Sequence, residues 1–380
     1  MEKNKKNLGF GLMRLPMQGD KVDIAACSAM TDRFMEAGGT YFDTALMYCG
    51  KQSEAAVKEF LTNRHPRDSF TLATKLHAGF FDTLEERDTV FAAQLEKTGV
   101  DYFDYYLIHA IDCYSYEKYT RLDCFNWLKE KKEQGLVRRM GFSFHADAAF
   151  LDKVLTEHPE MEFVQLQLNY LDWDSEDVQS RLCYEVARKH GKPIIVMEPV
   201  KGGTLAVLPE QAENLFRSIH PDWSPASWAL RFVMELPGVM MVLSGMSNWD
   251  QMEDNLFTVA DPVYLDEADH AAIRQVVAIL RGQESIPCTG CAYCVTDCPM
   301  SVPIPRIFAI YNEDQQIYGG KDHPEWDSSV WTPAMTYYDN LVKEGGKASS
   351  CIGCGACMNH CPQHLEIPDL LRQVAGRFDD

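Results

Sequence analysis

The chain has 380 residues and a net charge of −20, with 46% apolar and 24% charged residues. That length suits two domains, for instance a barrel of about 250 residues with a small accessory module. The excess of 56 acidic over 36 basic residues speaks against a nucleic-acid binder, and no apolar run approaches the roughly 18 residues of a membrane span.

The amino end is basic at Lys3, Lys5 and Lys6 but leads into Leu8-Gly9-Phe10-Gly11 without a signal-peptide apolar core, so a cytoplasmic protein is expected. Strand patterns then follow at Leu8–Leu15, Tyr41–Ala45, Phe70–Lys75, Tyr102–His109, Val137–Phe144, Phe163–Asn169, Pro193–Val200 and Met240–Met246. Amphipathic helical stretches lie between them, among them Asp23–Ala37, Glu85–Lys97, Glu117–Glu133 and Asp177–His190. A last helical pattern, Asp266–Arg281, follows. Eight strands alternating with helices predict an α/β fold, a parallel (β/α)8 TIM barrel over residues 1–283. A doubly wound open sheet is the alternative. It calls for a glycine-rich strand-to-helix turn, and Gly9-Phe10-Gly11 lacks the third glycine and the helix. A linker at Gly282–Pro287 precedes a second domain, residues 284–380, small and mainly helical, with helices expected at Pro303–Tyr311 and Met335–Glu344.

That second domain holds eight of the 13 cysteines, in two runs. Cys288, Cys291, Cys294 and Cys298 precede Pro299; Cys351, Cys354, Cys357 and Cys361 precede Pro362. Two-residue spacers let three thiolates of a run converge on one small volume. Zinc prefers two separated pairs, and disulfides are unexpected without secretion, so iron–sulfur chemistry is the reading. The remaining Cys27, Cys49, Cys113, Cys124 and Cys183 have no ligand spacing and read as small buried hydrophobes. The two runs resemble the bacterial ferredoxin pattern. That resemblance implies two [4Fe–4S] clusters with crossed ligation: Cys288, Cys291, Cys294 and Cys361 on one, Cys351, Cys354, Cys357 and Cys298 on the other.

In a (β/α)8 barrel chemistry gathers at the C-terminal strand ends. Those ends carry Asp43 with Tyr48, then Lys75, then His109, within Gly39-Thr40-Tyr41-Phe42-Asp43-Thr44-Ala45, Ala73-Thr74-Lys75 and Leu107-Ile108-His109. In this order the segments resemble the aldo/keto reductases over residues 8–281. The resemblance implies reversible hydride transfer between a nicotinamide dinucleotide and a carbonyl or alcohol. Tyr48 would be the proton donor, Lys75 the cation that acidifies it, Asp43 the partner of Lys75, and His109 the residue that orients the substrate oxygen. A phenol with a pKa of about 10 needs a neighbouring cation to act as an acid at neutral pH.

The same resemblance implies cofactor contacts at Ser143 and Gln165 for the carboxamide and at Gly202, Gly203 and Leu205 for the pyrophosphate. It assigns Ser244, Ser247, Gln251 and Asn255 to the adenosine end. Met197 stands where the family often has a stacking aromatic, and Gly245 and Gln251 stand where it often has cations for the NADP 2′-phosphate. NAD(P)H without a preference for NADPH is therefore expected, Lys201 being the nearest cation that could compensate. The expected partners are a small carbonyl or alcohol and a redox protein, with neither nucleic acid nor membrane. An electron-transfer or redox-sensing protein, with the barrel as scaffold, is the alternative function.

Overall fold

The computed structural model describes residues 7–175, 178–260, 263–281, 285–318, 333–343 and 345–379. It divides into two compact units, Met1–Pro199 with Ala226–Leu265, and Val200–Pro225 with Asp266–Asp380. The expected boundary at 283/284 lies outside the described residues. The segment Val200–Pro225 and the helix Glu267–Arg281, both assigned to the barrel from sequence, fall in the cysteine-bearing unit.

The first unit is a closed barrel of eight parallel strands, not an open sheet. They are β1 (Leu8–Gly11), β2 (Tyr41–Asp43), β3 (Thr71–His77), β4 (Phe103–Ile111), β5 (Val137–Phe144), β6 (Phe163–Gln167), β7 (Ile194–Met197) and β8 (Val239–Gly245). Each stands in sequence order beside the next, and β8 closes on β1. Strands of a parallel barrel are buried on both faces, which is why they read as near-continuous apolar runs. Tyr41, Ala73, Leu107, Phe163, Ile195 and Leu243 pack together in one buried cluster, small side chains beside large ones.

The helices introduced in chain order are α1 (Ile24–Glu36), α2 (Leu84–Thr98), α3 (Cys124–Glu133), α4 (Ala148–Glu157), α5 (Ser180–Lys189), α6 (Glu210–Ile219), α7 (Pro225–Met234), α8 (Trp249–Ala260) and α9 (Glu267–Arg281). Helix α2 starts with a Thr83–Glu86 capping box and stops at Gly99, which is left-handed at φ 69°. The single helix expected over Glu117–Glu133 is two, Ser115–Arg121 and α3. Asp123 turns left-handed at φ 51°, and Arg87 donates to the carbonyls of Leu122 and Asp123 exposed by the break. Asp177, the expected start of α5, lies outside the described residues. Among the described residues no helix is long and apolar enough to cross a membrane.

The second unit adds α10 (Ile304–Tyr318), α11 (Pro333–Leu341) and α12 (Ile367–Phe378) to α6 and α9. The helix expected to end at Glu344 stops at Leu341, and Glu344 itself lies outside the described residues. Val302, Ile304, Ile307, Phe308, Tyr311, Ile367, Leu371 and Val374 form its apolar core together with Cys294 and Cys357. Arg377 of α12 clamps the buried Asp314 of α10, with Nε 2.7 Å and Nη2 3.2 Å from its carboxylate.

Candidate active site and cluster sites

Barrel register brings the charged residues together. Asp43 closes β2 opposite Ala73 of β3, and His77 of β3 pairs with His109 of β4. Since side chains alternate along a strand, Ala73, Lys75 and His77 share one face. Asp43, Lys75 and His109 are each at most 3% exposed. The Lys75 ammonium donates to Asp43 Oδ1 and, at 2.9 Å, to the Thr44 carbonyl. Burial pushes the Asp43 carboxyl up and the Lys75 ammonium down, and each charge offsets part of the other's cost.

Tyr48 opens a short turn in which Cys49, Gly50 and Lys51 are all left-handed, a strained conformation of the kind that collects at functional sites. The half-buried Tyr48 ring lies 4.9 Å from Lys75 Nζ and 6.1 Å, edge to face, from the His109 ring. Burial pushes its hydroxyl well above the usual value, Asp43 and Glu198 adding to the effect and Arg14 opposing it. The ammonium lies over the ring face and is matched by Asp43, so desolvation dominates. Burial, with His77, Lys75 and His145 nearby, holds His109 well below the usual histidine range, so it is a neutral imidazole at neutral pH.

Sequence reasoning passed over Glu54. It is 1% exposed, and its Oε1 accepts from Thr74 Oγ1 and from Gln94 Nε2, each at 2.7 Å. Gln94 also donates to the Lys75 carbonyl at 3.0 Å, so this network fixes the strand that carries the lysine. Six residues after Tyr48, Glu54 is a lone acid in a helical stretch, a pattern that ordinarily means a solvated side chain.

Ser143 and Gln165 are direct neighbours across β5 and β6. Ser143 Oγ accepts from the Ala110 amide at 2.7 Å, while Gln165 Oε1 is buried without a hydrogen-bond partner among the described residues. A buried orphan acceptor is the feature a carboxamide NH2 would satisfy, so the nicotinamide end fits. Ser244, Ser247, Gln251 and Asn255 gather at the corner from β8 into α8. Asn255 Nδ2 donates to Ser244 Oγ at 2.8 Å, and the Ser247 amide to Gln251 Oε1 at 2.7 Å. Gly202, Gly203 and Leu205 belong to the second unit. There a Cβ on Gly202 would stand 2.3 Å from the Thr289 carbonyl oxygen. Lys201, a surface lysine by default, is only 2% exposed and donates to Gln363 Oε1 at 3.0 Å.

The second unit sorts its cysteines by site. Cys288, Cys291, Cys294 and Cys361 line one cavity; Cys298, Cys351, Cys354 and Cys357 line another. Each cavity thus takes three cysteines of one run and the last of the other. Turns make this possible, and they repeat: Gly290 and Gly353, Ala292 and Gly355, and Ser301 and His364 are left-handed pairs at equivalent positions. The thiols line a cavity in each case, and among the described residues no group of three or more His, Cys, Asp or Glu side chains is placed to hold a single metal ion. Burial raises Cys294 and Cys357, the latter to about 11, and neighbouring cysteines raise both further. These residues fit a multi-iron cluster.

Of the other cysteines, Cys27, Cys124 and Cys183 are buried as expected, with Cys27 and Cys183 pushed up to about 12 by burial. Cys49 is half-buried and Cys113 exposed, because both sit in turns beyond strand ends instead of in the core.

Residues 7–278, well over half the chain, match the aldo/keto reductase family. The chain belongs to that family. Residues 287–366 match a 4Fe-4S dicluster domain, so this aldo/keto reductase carries an iron–sulfur module C-terminal to its barrel. An uncharacterized oxidoreductase of Schizosaccharomyces pombe is 26% identical over 66% of this chain and 80% of its own length. An aldo-keto reductase of Mycolicibacterium vanbaalenii is 30% identical over 58% of this chain and 74% of its own. Among solved structures, the holo form of an aldo-keto reductase from Bacillus halodurans superposes with a TM-score of 0.59 at 23% identity, covering 71% of this chain and 91% of that one. A Klebsiella pneumoniae aldo/keto reductase in complex with NADP and acetate gives 0.57 at 17% identity, over 71% and 91%. At these identities the likeness is one of fold.

Proposed function

We propose that the barrel catalyses reversible hydride transfer between a nicotinamide dinucleotide and a small carbonyl or alcohol, with Tyr48 as proton donor. The observation that carries the reading is Tyr48 beside the buried Asp43–Lys75 pair and the neutral His109. The dinucleotide, when bound, supplies or takes up the hydride. Gln165 Oε1 and Ser143 hold the carboxamide end, and the β8–α8 corner holds the adenosine end. Tyr48 gives its phenolic proton to the substrate oxygen as negative charge builds there. His109, neutral, hydrogen-bonds that oxygen and orients it. Asp43 and the Thr44 carbonyl fix the Lys75 ammonium against the tyrosine ring.

The proposal extends to the second module, residues 284–380. Cys288, Cys291, Cys294 and Cys361 hold one [4Fe–4S] cluster; Cys351, Cys354, Cys357 and Cys298 hold the other. Such clusters would supply one-electron exchange, by which they would regulate the barrel or couple to its two-electron chemistry. A second reading, a redox relay or sensor without turnover, is supported by the placement of Gly202 against Thr289, which engages a loop assigned to the pyrophosphate.

One anaerobic experiment separates the two. The purified protein is assayed with NADH and NADPH against a panel of aldehydes, ketones and alcohols, beside Tyr48→Phe. The enzyme reading expects turnover that falls about a hundredfold or more in Tyr48→Phe with dinucleotide binding retained. Wild-type turnover by Tyr48→Phe on a real substrate would sink it.

A further inference from the structure

We infer that Lys201 is an electrostatic positioning residue for the cluster held by Cys288, Cys291, Cys294 and Cys361, its charge raising the reduction potential of that cluster and not of the other. The inference rests on the ligand assignment proposed above. Lys201 follows β7 by four residues and is buried within the cysteine-bearing unit. Its backbone is left-handed at φ 46°, a conformation a lysine adopts only when its surroundings impose it. Its Nζ donates to Gln363 Oε1 at 3.0 Å, and Gln363, two residues beyond Cys361, lines the same cavity as the four cysteines. The next residue, Gly202, rests on the backbone of Thr289, which follows Cys288. The loop therefore touches both ends of one ligand set.

The duplicated cysteine runs supply an internal control. Gln363 corresponds to Met300 in the first run, each standing two residues after the last cysteine. Met300 cannot hold an ammonium in the way Gln363 does. Apart from its cysteines, the second cavity is lined by apolar residues and glycine, Met300, Ile304 and Leu371 among them. Reduction adds one negative charge to a cluster, and a cation in water-poor surroundings stabilises that charge more than it would in bulk water. One cluster has such a cation built beside it, which makes it the preferred resting place of an electron shared by the pair.

The test is an anaerobic redox titration of the full-length protein, followed by electron paramagnetic resonance, with iron and sulfide assayed in each sample. In Lys201→Met one of the two potentials should fall, lowering the reduced-to-oxidised ratio at the wild-type midpoint about tenfold, which is 59 mV for one electron. The other potential should stay, and Lys201→Arg should keep both. Lys201→Gln, neutral but still hydrogen-bonding, carries the same expectation if Lys201→Met does not accumulate. Unchanged potentials in a fully loaded neutral variant would overturn the inference. So would an equal shift in Lys201→Arg, which would mean that packing and not charge is at work. Wild-type protein without sulfide and iron would instead overturn the ligand assignment underneath.

Discussion

Tyr48 sits where burial works against its acidity, and the nearby cation is already matched by Asp43. On the proposed reading, its proton would become available only as charge develops on a substrate oxygen beside it, as general acid catalysis in the transition state requires. His109 has a consequence for stability. Above pH 6.5 the histidine is neutral whether folded or unfolded, and it contributes no pH dependence. As pH falls below 6.5 the unfolded chain takes up a proton that the buried imidazole refuses, so stability drops until the much lower folded value is passed. Urea unfolding at pH 7.5 and 5.5 should show a smaller loss in His109→Asn than in the wild type. Gln251 offers a test of cofactor choice. Gln251→Arg should favour NADPH over NADH by about fivefold, roughly 1 kcal/mol for a partly exposed charge pair, in anaerobic titrations of both dinucleotides. The tetrad was legible in the sequence because its members stand at successive strand ends in family order. Glu54 was not, since only packing under Thr74 and Gln94 distinguishes it from a surface acid.

At the scale of elements, the cysteine turns show where local sequence controls geometry. Each run needs left-handed residues between its cysteines, and glycine adopts them without a Cβ penalty. The second run has Gly353 and Gly355 there; the first has Gly290 and Ala292. Ala292 is therefore strained where its counterpart is not. Ala292→Gly should stabilise the module and Gly355→Ala destabilise it, each by about 1 kcal/mol. Anaerobic thermal melts, following loss of the cluster chromophore, would show the two midpoints moving in opposite directions. All eight strands were readable from apolar runs, with their ends shifted by a few residues. The break at Asp123 was not readable, because the helical pattern continues through it and Arg87, which meets the exposed carbonyls, comes from α2, distant in sequence. The family resemblance assigns the loop after β7 to the pyrophosphate. Its packing against Thr289 depends on a segment almost ninety residues later.

Across the whole chain, the crossed cysteine sets predict how variants combine. The native protein should hold about eight iron and eight sulfide. Cys291→Ser and Cys361→Ser address one cavity, so the double variant should lose about as much iron as either single one. Cys361→Ser with Cys354→Ser addresses both cavities, and its losses should add. If Cys361→Ser instead paired in this way with Cys354→Ser, each run would be holding its own cluster. By itself the sequence determined the barrel, the order of the candidate catalytic residues and the presence of two matching cysteine runs. Those features are written in local periodicity and spacing, which act over a few residues. Only the tertiary structure decided that Tyr48 is half-buried beside the Asp43–Lys75 pair, that Glu54 lies beneath the lysine strand, and that Lys201 is enclosed beside Gln363. Burial and the identity of a partner are set by chain segments that meet from far apart, and no spacing within one segment records them.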